Sequence, residues 1–252
     1  MSLPMIEIKN LTYTYPDGSA ALKDIDLTVL DGEFLLVCGP NGSGKTTLIR
    51  HMNGLLKPVS GSVSVNGIDA ARSPREVMRR VGMVFQDADS QIVGETVGED
   101  VAFGPQNLGL SREEVTERVE AALELVGIRH LAEKPCHMLS GGEKRRVAIA
   151  GVLAMQPEVV VFDEPFANLD YPGVCQVLGE MVKLRRMGRT LVATTHDVEK
   201  VVSLVDRIAI IHEGELRAVG TPEEIVPKLS SYQIRPPCYS LLGERMLPWL
   251  PD

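Results

Sequence analysis

The chain has 252 residues, of which 44% are hydrophobic and 24% charged, and carries a formal net charge of −8. That length suffices for a sizeable core in an α/β domain, and the acidic balance argues against a nucleic-acid partner, which calls for a basic face or stripe. The longest apolar runs, such as Val159–Phe162, fall far short of the roughly 20 residues that a membrane-spanning helix requires.

Taken in chain order, Ile6–Thr14 and Ala20–Leu30 read as β segments around a turn at Pro16, Asp17 and Gly18. Glu33–Cys38 is a short apolar strand that runs through a glycine-rich loop into a helix from about Lys45 to Asn53. Ser62–Val65 followed by Asn66 and Gly67 reads as one arm of a hairpin, because Asn-Gly favours the primed turns. Val81–Phe85 is a further strand. Ser111 and Glu114 make a capping-box pattern ahead of a helix to about Val126. In it Val115, Val119, Ala122, Leu123 and Val126 share one face at helical spacing. A second helix spans about Gly142 to Met155.

Alternation of strand and helix then resumes. Val159–Phe162 reads as a strand, Pro172–Met187 as a helix, Thr190–Thr194 as a strand and Val198–Val205 as a helix. Arg207–His212 and Glu215–Val219 flank Glu213 and Gly214 as a hairpin. Thr221, Pro222, Glu223 and Glu224 open one more short helix, with proline at its first position. The Pro-rich tail after Ser230 has weak periodicity and reads as loosely structured.

Buried strands alternating with helices imply a mostly parallel sheet covered on both faces. The β-rich beginning adds an antiparallel β subdomain, and the stretch from about 88 to 157 reads as an inserted helical subdomain. Cys38, Cys136, Cys175 and Cys238 are scattered, with neither a CxxC nor a Cys/His cluster. No zinc site or disulfide framework is expected, and a reducing cytosol fits best. The start has no basic region followed by an apolar stretch, so no signal peptide is expected.

The strongest motif is Gly39, Pro40, Asn41, Gly42, Ser43, Gly44, Lys45 and Thr46, which matches G-x-x-x-x-G-K-[ST] between a predicted strand and a predicted helix. Its glycines let backbone N–H groups converge on phosphate oxygens, and the helix N-terminus adds partial positive charge. Lys45 would reach the β- and γ-phosphates of ATP, the Thr46 hydroxyl would ligate Mg²⁺, and Thr47 completes the expected nucleotide cradle. The core is thus a P-loop NTPase. A second motif ends the strand Val159–Phe162 with Asp163 and Glu164, at the strand end where α/β sheets bind ligands. Asp163 suits the Mg²⁺ shell, and Glu164 is free to polarise a water. A third motif, Leu139, Ser140, Gly141, Gly142 and Glu143, places a hydroxyl and free N–H groups at another helix N-terminus, a second anion site. One ATP needs only one P-loop, so the second cradle suggests that two chains share each nucleotide.

The set Gly39–Thr46, Gln86, Leu139–Glu143, Val159–Glu164, Asp170 and His196, in this order, resembles an ABC-transporter ATPase over about residues 5–222, with 223–252 as a short C-terminal extension. The resemblance implies that Tyr15 stacks on adenine, with Tyr13 as a rival. It implies that Gln86 reaches Mg²⁺ and the attacking water, and that the loop after it faces a membrane partner. It places Asp170 at the dimer seam, where it can also cap the following helix. It has His196 contact the γ-phosphate and hold Glu164 and the water.

Residues 83–110 are similar to the ATPases of energy-coupling-factor importers, which include cobalt and nickel uptake systems. Gln91 and Val101–Pro105 carry this likeness. Three positions depart from the pattern: Ala88 stands where proline is usual, Phe166 where a small or hydroxyl residue is usual, and Glu143 where glutamine is common. The implied partners are a second ATPase subunit, identical or paralogous, a transmembrane coupling protein and a substrate-capture membrane protein, with the chain peripheral at the cytoplasmic face of the cell membrane. The substrate could be a transition-metal ion or a vitamin. Lys144, Arg145 and Arg146 read as a solvated helix face. The competing readings are a soluble ABC ATPase doing mechanical work on DNA or ribosomes, which usually carries a coiled-coil insertion or two ATPase halves, and a small-molecule kinase, which needs neither Leu139–Glu143 nor His196.

Overall fold

A computed structural model describes residues 3–242 and Trp249. The elements in order are β1 (Pro4–Thr14), β2 (Ala20–Leu30), β3 (Phe34–Cys38), α1 (Lys45–Met52), β4 (Ser60–Val65), β5 (Ile68–Asp69), α2 (Pro74–Arg80) and β6 (Val81–Val84). There follow α3 (Val97–Asn107), α4 (Arg112–Leu125), α5 (Gly141–Ala154), β7 (Val159–Asp163), α6 (Tyr171–Arg186), β8 (Thr190–Thr195), β9 (Arg207–His212), β10 (Glu215–Gly220), α7 (Pro222–Ile225) and α8 (Cys238–Leu242).

The strands form two sheets. A four-stranded antiparallel sheet runs β2-β1-β4-β5 and a six-stranded sheet runs β10-β9-β3-β8-β7-β6. In the second sheet every pairing from β9 to β6 is parallel, and β10 adds an antiparallel edge. This is the expected α/β arrangement. Both hairpin turns form as the dipeptides dictate, with positive φ at Asn66 and Gly67 and again at Glu213 and Gly214.

The pleat sorts the core into two halves. Leu35, Val37, Val159, Val161, Val192, Ala209 and Ile211 point to one face, where α1 and the antiparallel sheet pack. Phe34, Leu36, Val160, Phe162, Leu191, Ala193, Ile208 and Ile210 point to the other, against α5 and α6. Successive strand residues face opposite sides, so strands apolar at every position must be covered twice. The helices α3, α4 and α5 pack on one another beside this core.

Four features differ from the sequence reading. The expected helix Val198–Val205 is a 3₁₀ turn at Val198–Lys200 followed by turns. Its valines still reach the core, but β-branched residues disfavour helix, and Arg185 Nη1 takes the Leu204 carbonyl at 2.5 Å. Asp206 then ties the segment to β3, donating its N–H to the Phe34 carbonyl and accepting the Phe34 N–H at 2.8 Å. The solvated face assigned to Lys144, Arg145 and Arg146 is also corrected: Arg145 is 5% exposed, and Arg146 Nε is buried. Helices α2 and α3 form where no individual helix was expected. The tail contains a 3₁₀ stretch at Val226–Tyr232 and the short α8, and the expectation for 243–252 lies outside the described residues except at Trp249.

Glu180, on α6, is 4% exposed, with Oε2 buried and unpartnered among the described residues. Burial pushes its pKa from an ordinary 4.5 up to about 8, against the opposing pull of Lys183 and Arg146. A folded pKa above the unfolded one means that stability from this group is full below the unfolded pKa and is lost as pH rises through the folded one. Glu180→Gln removes that titration. The fall in melting temperature between about pH 5 and about pH 8.5 should therefore be smaller in the variant; an equal fall would assign the pH dependence to other groups.

Candidate functional site

The loop between β3 and α1 can follow only a glycine-rich path. A Cβ on Gly39 would lie 2.1 Å from the Ile211 carbonyl oxygen. Gly44 has φ +107, and a Cβ there would lie 2.7 Å from the Ala21 carbonyl oxygen. The loop wraps Lys45, whose Nζ donates to the Gly39 carbonyl at 2.9 Å and to the Pro40 carbonyl at 3.1 Å. The same ammonium lies 3.6 Å from Glu164 Oε1, with both side chains almost fully buried. Ser43 Oγ, in the same loop, is buried with no hydrogen-bond partner among the described residues. A buried hydroxyl of this kind is costly unless something binds it, so it fits a site that takes up a polar group. Burial pushes the neighbouring Cys38 thiol up to about 12, which removes it as a nucleophile.

The acidic pair ends β7. Asp163 Oδ1 accepts hydrogen bonds from the Thr46 hydroxyl at 3.1 Å and from the Thr194 hydroxyl at 2.7 Å. Glu164 leaves the strand with φ +44, a left-handed conformation that costs roughly 1–2 kcal/mol in a residue with a Cβ. Its carboxylate oxygens both lie 3.1 Å from His196 Nδ1. The imidazole side chain is 58% exposed while the Glu164 side chain is 11% exposed. One cavity of about 570 Å³ is lined by Tyr15, Asn41, Gly42, Gly44, Lys45, Thr46, Thr47, Gln86, Glu164 and His196.

Tyr15 and Tyr13 separate here. The Tyr15 hydroxyl is 2.8 Å from Thr47 Oγ1, and its ring lines the cavity. Tyr13 stacks edge-on against Tyr15 and His51 and packs on the core. Gln86 is set by a residue that the sequence reading missed. Arg145 of α5 donates to the Phe85 and Gln86 carbonyls, each at 2.6 Å. Its one available signal was spacing: Arg145, Ile149 and Val152 follow the i, i+4, i+7 rhythm of the buried face. Gln91 is fixed too, accepting the Phe85 N–H at 2.9 Å and donating to the Met83 carbonyl at 3.1 Å.

The remaining expected residues lie elsewhere. Ser140, Gly141 and Gly142 begin α5 and do not line the cavity. Ser140 Oγ accepts the Glu143 N–H at 3.3 Å while Glu143 Oε2 accepts the Ser140 N–H at 2.7 Å. That backbone N–H, with Lys134 beside it, holds the Glu143 carboxyl at about 2. A Cβ on Gly141 or Gly142 would meet nothing within 4 Å. Asp170 caps α6 by accepting the Gly173 N–H at 3.0 Å, and it is exposed. Phe166 turns inward and is 4% exposed in the core beneath the helices.

The family model for the ABC transporter matches residues 22–167. The chain belongs to the ABC transporter family. This ABC ATPase is 47% identical over 224 residues to the energy-coupling factor transporter ATP-binding protein EcfA of Methanocaldococcus jannaschii, a match covering 88% of this chain and 80% of the relative. It is 48% identical over 240 residues to the cobalt import ATP-binding protein CbiO of Rhodobacter capsulatus, covering 93% and 86%. The solved structure of cbiO1 from Clostridium perfringens, described as part of the ABC transporter complex cbiONQ, superposes with a TM-score of 0.82 at 36% identity, covering 95% of this chain and 98% of that one. The chain is thus a nucleotide-binding ATPase of the energy-coupling-factor group, and these relatives favour neither the mechanical-ATPase reading nor the kinase reading. Among the described residues no helix of the ABC ATPase is long and apolar enough to cross a membrane.

Ser140→Ala deletes the α5 cap, which typically costs about 1 kcal/mol. Calorimetry should record a melting temperature lower by roughly 2–4 °C. An unchanged melting temperature would mean that Glu143 alone secures the helix start.

Proposed function

We propose that this ATPase powers import of a transition-metal ion or a vitamin through a membrane complex, working as a pair of ATPase subunits at the cytoplasmic face of the membrane. The observation that carries the pairing is the separation of the two phosphate cradles. Lys45 and its loop line the cavity, whereas Ser140 caps an exposed helix start and does not line it. In an inverted pair with two-fold symmetry, Ser140 and Gly142 of one subunit close over the γ-phosphate held by the other, and Asp170 lies at the seam. The second subunit is a copy of this chain or a paralogue.

Within each site, Tyr15 stacks on adenine, and Gly39 to Thr47 cradle the phosphates. Lys45 exchanges Glu164 and its loop carbonyls for β- and γ-phosphate oxygens. Thr46, Asp163 and Gln86 hold Mg²⁺, and the hard oxygen donors already gathered at Thr46 and Asp163 suit that ion. When bound, it neutralises charge on the phosphates. Glu164 accepts the proton of the attacking water, and His196 keeps that carboxylate and the γ-phosphate aligned. Release of the shared γ-phosphate removes what binds the two subunits, so the pair alternates between closed and open states and moves its membrane partner.

The domain division that goes with this reading is an ATPase domain over 5–222, including the helical subdomain of about 88–157, and an extension over 223–252. Docking of a transmembrane coupling protein is supported by an apolar groove of about 490 Å³ lined by Met78, Met83, Phe85, Val93, Phe103 and Met155. Val93 and Phe103 are exposed there at 63% and 54%, and the groove adjoins the backbone that Gln91 fixes. A cobalt substrate is supported by the name of the CbiO relative. Its capture belongs to a separate membrane protein.

Two variants test the chemistry. Glu164→Gln should keep ATP affinity while phosphate release slows about 10²–10⁴-fold, and gel filtration with ATP should show accumulated pairs; turnover at the parent rate removes Glu164 from the base role. Lys45→Ala should weaken ATP binding in calorimetry, and unchanged affinity would contradict its phosphate contact.

A further inference from the structure

We propose that Thr194 is a positioning residue for ATP hydrolysis, one hydroxyl that fixes both acidic residues at the end of β7. The inference rests on Glu164 being the general base. Thr194 is fully buried on β8 and stands opposite Asp163 in the parallel register. It lines no part of the cavity, so it acts through its neighbours.

The hydrogen-bond arithmetic is closed. A threonine hydroxyl has one proton to give and lone pairs to accept. Here the proton goes to Asp163 Oδ1 at 2.7 Å, and a lone pair accepts the Glu164 backbone N–H at 3.0 Å. The second bond falls on the residue that needs it most, because Glu164 has φ +44 and a left-handed non-glycine turn persists only when its surroundings hold it. The first bond has a different importance. Asp163 Oδ1 has a second donor in Thr46, and on the reading above that hydroxyl turns to the metal ion when nucleotide is bound. Thr194 is then the donor that remains on Oδ1.

Valine matches threonine closely in shape but has no hydroxyl. In Thr194→Val the Glu164 N–H is buried without its partner, Asp163 loses a donor, and each acidic residue is held by one restraint fewer. A misplacement of about 1 Å can cost on the order of 10²-fold in rate.

The test uses the full chain and measures phosphate release across ATP concentrations, ATP affinity by calorimetry, and melting temperature. Thr194→Ser keeps the hydroxyl and should retain parental turnover. Thr194→Val should lose on the order of 10²-fold in kcat with KM and ATP affinity unchanged. If the valine variant does not fold, Thr194→Ala is read in its place. The assignment is overturned by a valine or alanine variant with parental kcat, by a loss of ATP affinity that matches the loss of kcat, or by a serine variant that melts normally yet loses turnover. Glu164→Gln run in parallel separates the two ideas. If it hydrolyses normally, the general-base reading falls and this one with it. If it is inactive while Thr194→Val is fully active, only the Thr194 assignment fails.

Discussion

Asp163 and Thr194 stand opposite each other where the parallel strands β7 and β8 end, on a sheet buried on both faces. Parallel strands end on the same side, so the C-terminal ends of β3, β7 and β8 converge there. The loop after β3 delivers Lys45 and Thr46, β7 delivers Asp163 and Glu164, and β8 delivers Thr194 and, just beyond its end, His196. A slip of one residue in the register would turn every side chain to the opposite face. Such a slip would exchange the side chains that fill the two halves of the core. The packing of the sheet therefore also sets where the polar residues at its strand ends stand.

The buried ions also show how a site can be charged and still fold. Lys45 and Glu164 are both inside and lie 3.6 Å apart. A buried charge without a partner costs several kcal/mol, but here each ion offsets the other, with two loop carbonyls on the lysine and a histidine on the glutamate. The chain's own groups thus satisfy both ions. Ser43 Oγ in the same loop is buried without a hydrogen-bond partner among the described residues.

Much of this was legible in the sequence because the relevant signals are local. The glycine-rich loop, the apolar run ending in Asp163, and the Asn66 and Glu213 turns each dictate their own backbone. Three kinds of feature were not legible. Helix α3 was obscured by Gly98, Gly104 and an internal proline at Pro105, residues that ordinarily punctuate helices, while its capping box at Thr96 and Glu99 was present but unread. The segment Val198–Val205 read as a helix, but a long-range bond from Arg185 closed it differently. Arg145, Phe166 and Thr194 depend on partners 30 to 60 residues away or on which face a turn presents, and no local pattern encodes that. A basic triplet such as Lys144, Arg145 and Arg146 looks uniform as letters, yet a helix sends its members to different surroundings.

Helix α5 carries the exposed Ser140 turn at its first residues and, one turn later, the guanidinium that holds the Phe85 and Gln86 carbonyls. The two bonds are charge-assisted and partly shielded from water, which makes them strong and mutually orienting. Ser140 and Gln86 are thereby mounted on one rigid bracket, although they face different territories. A tilt of α5 that kept both bonds would carry the Gln86 backbone along with the serine. The two bonds thus give the cavity lining a direct physical link to a surface it does not touch.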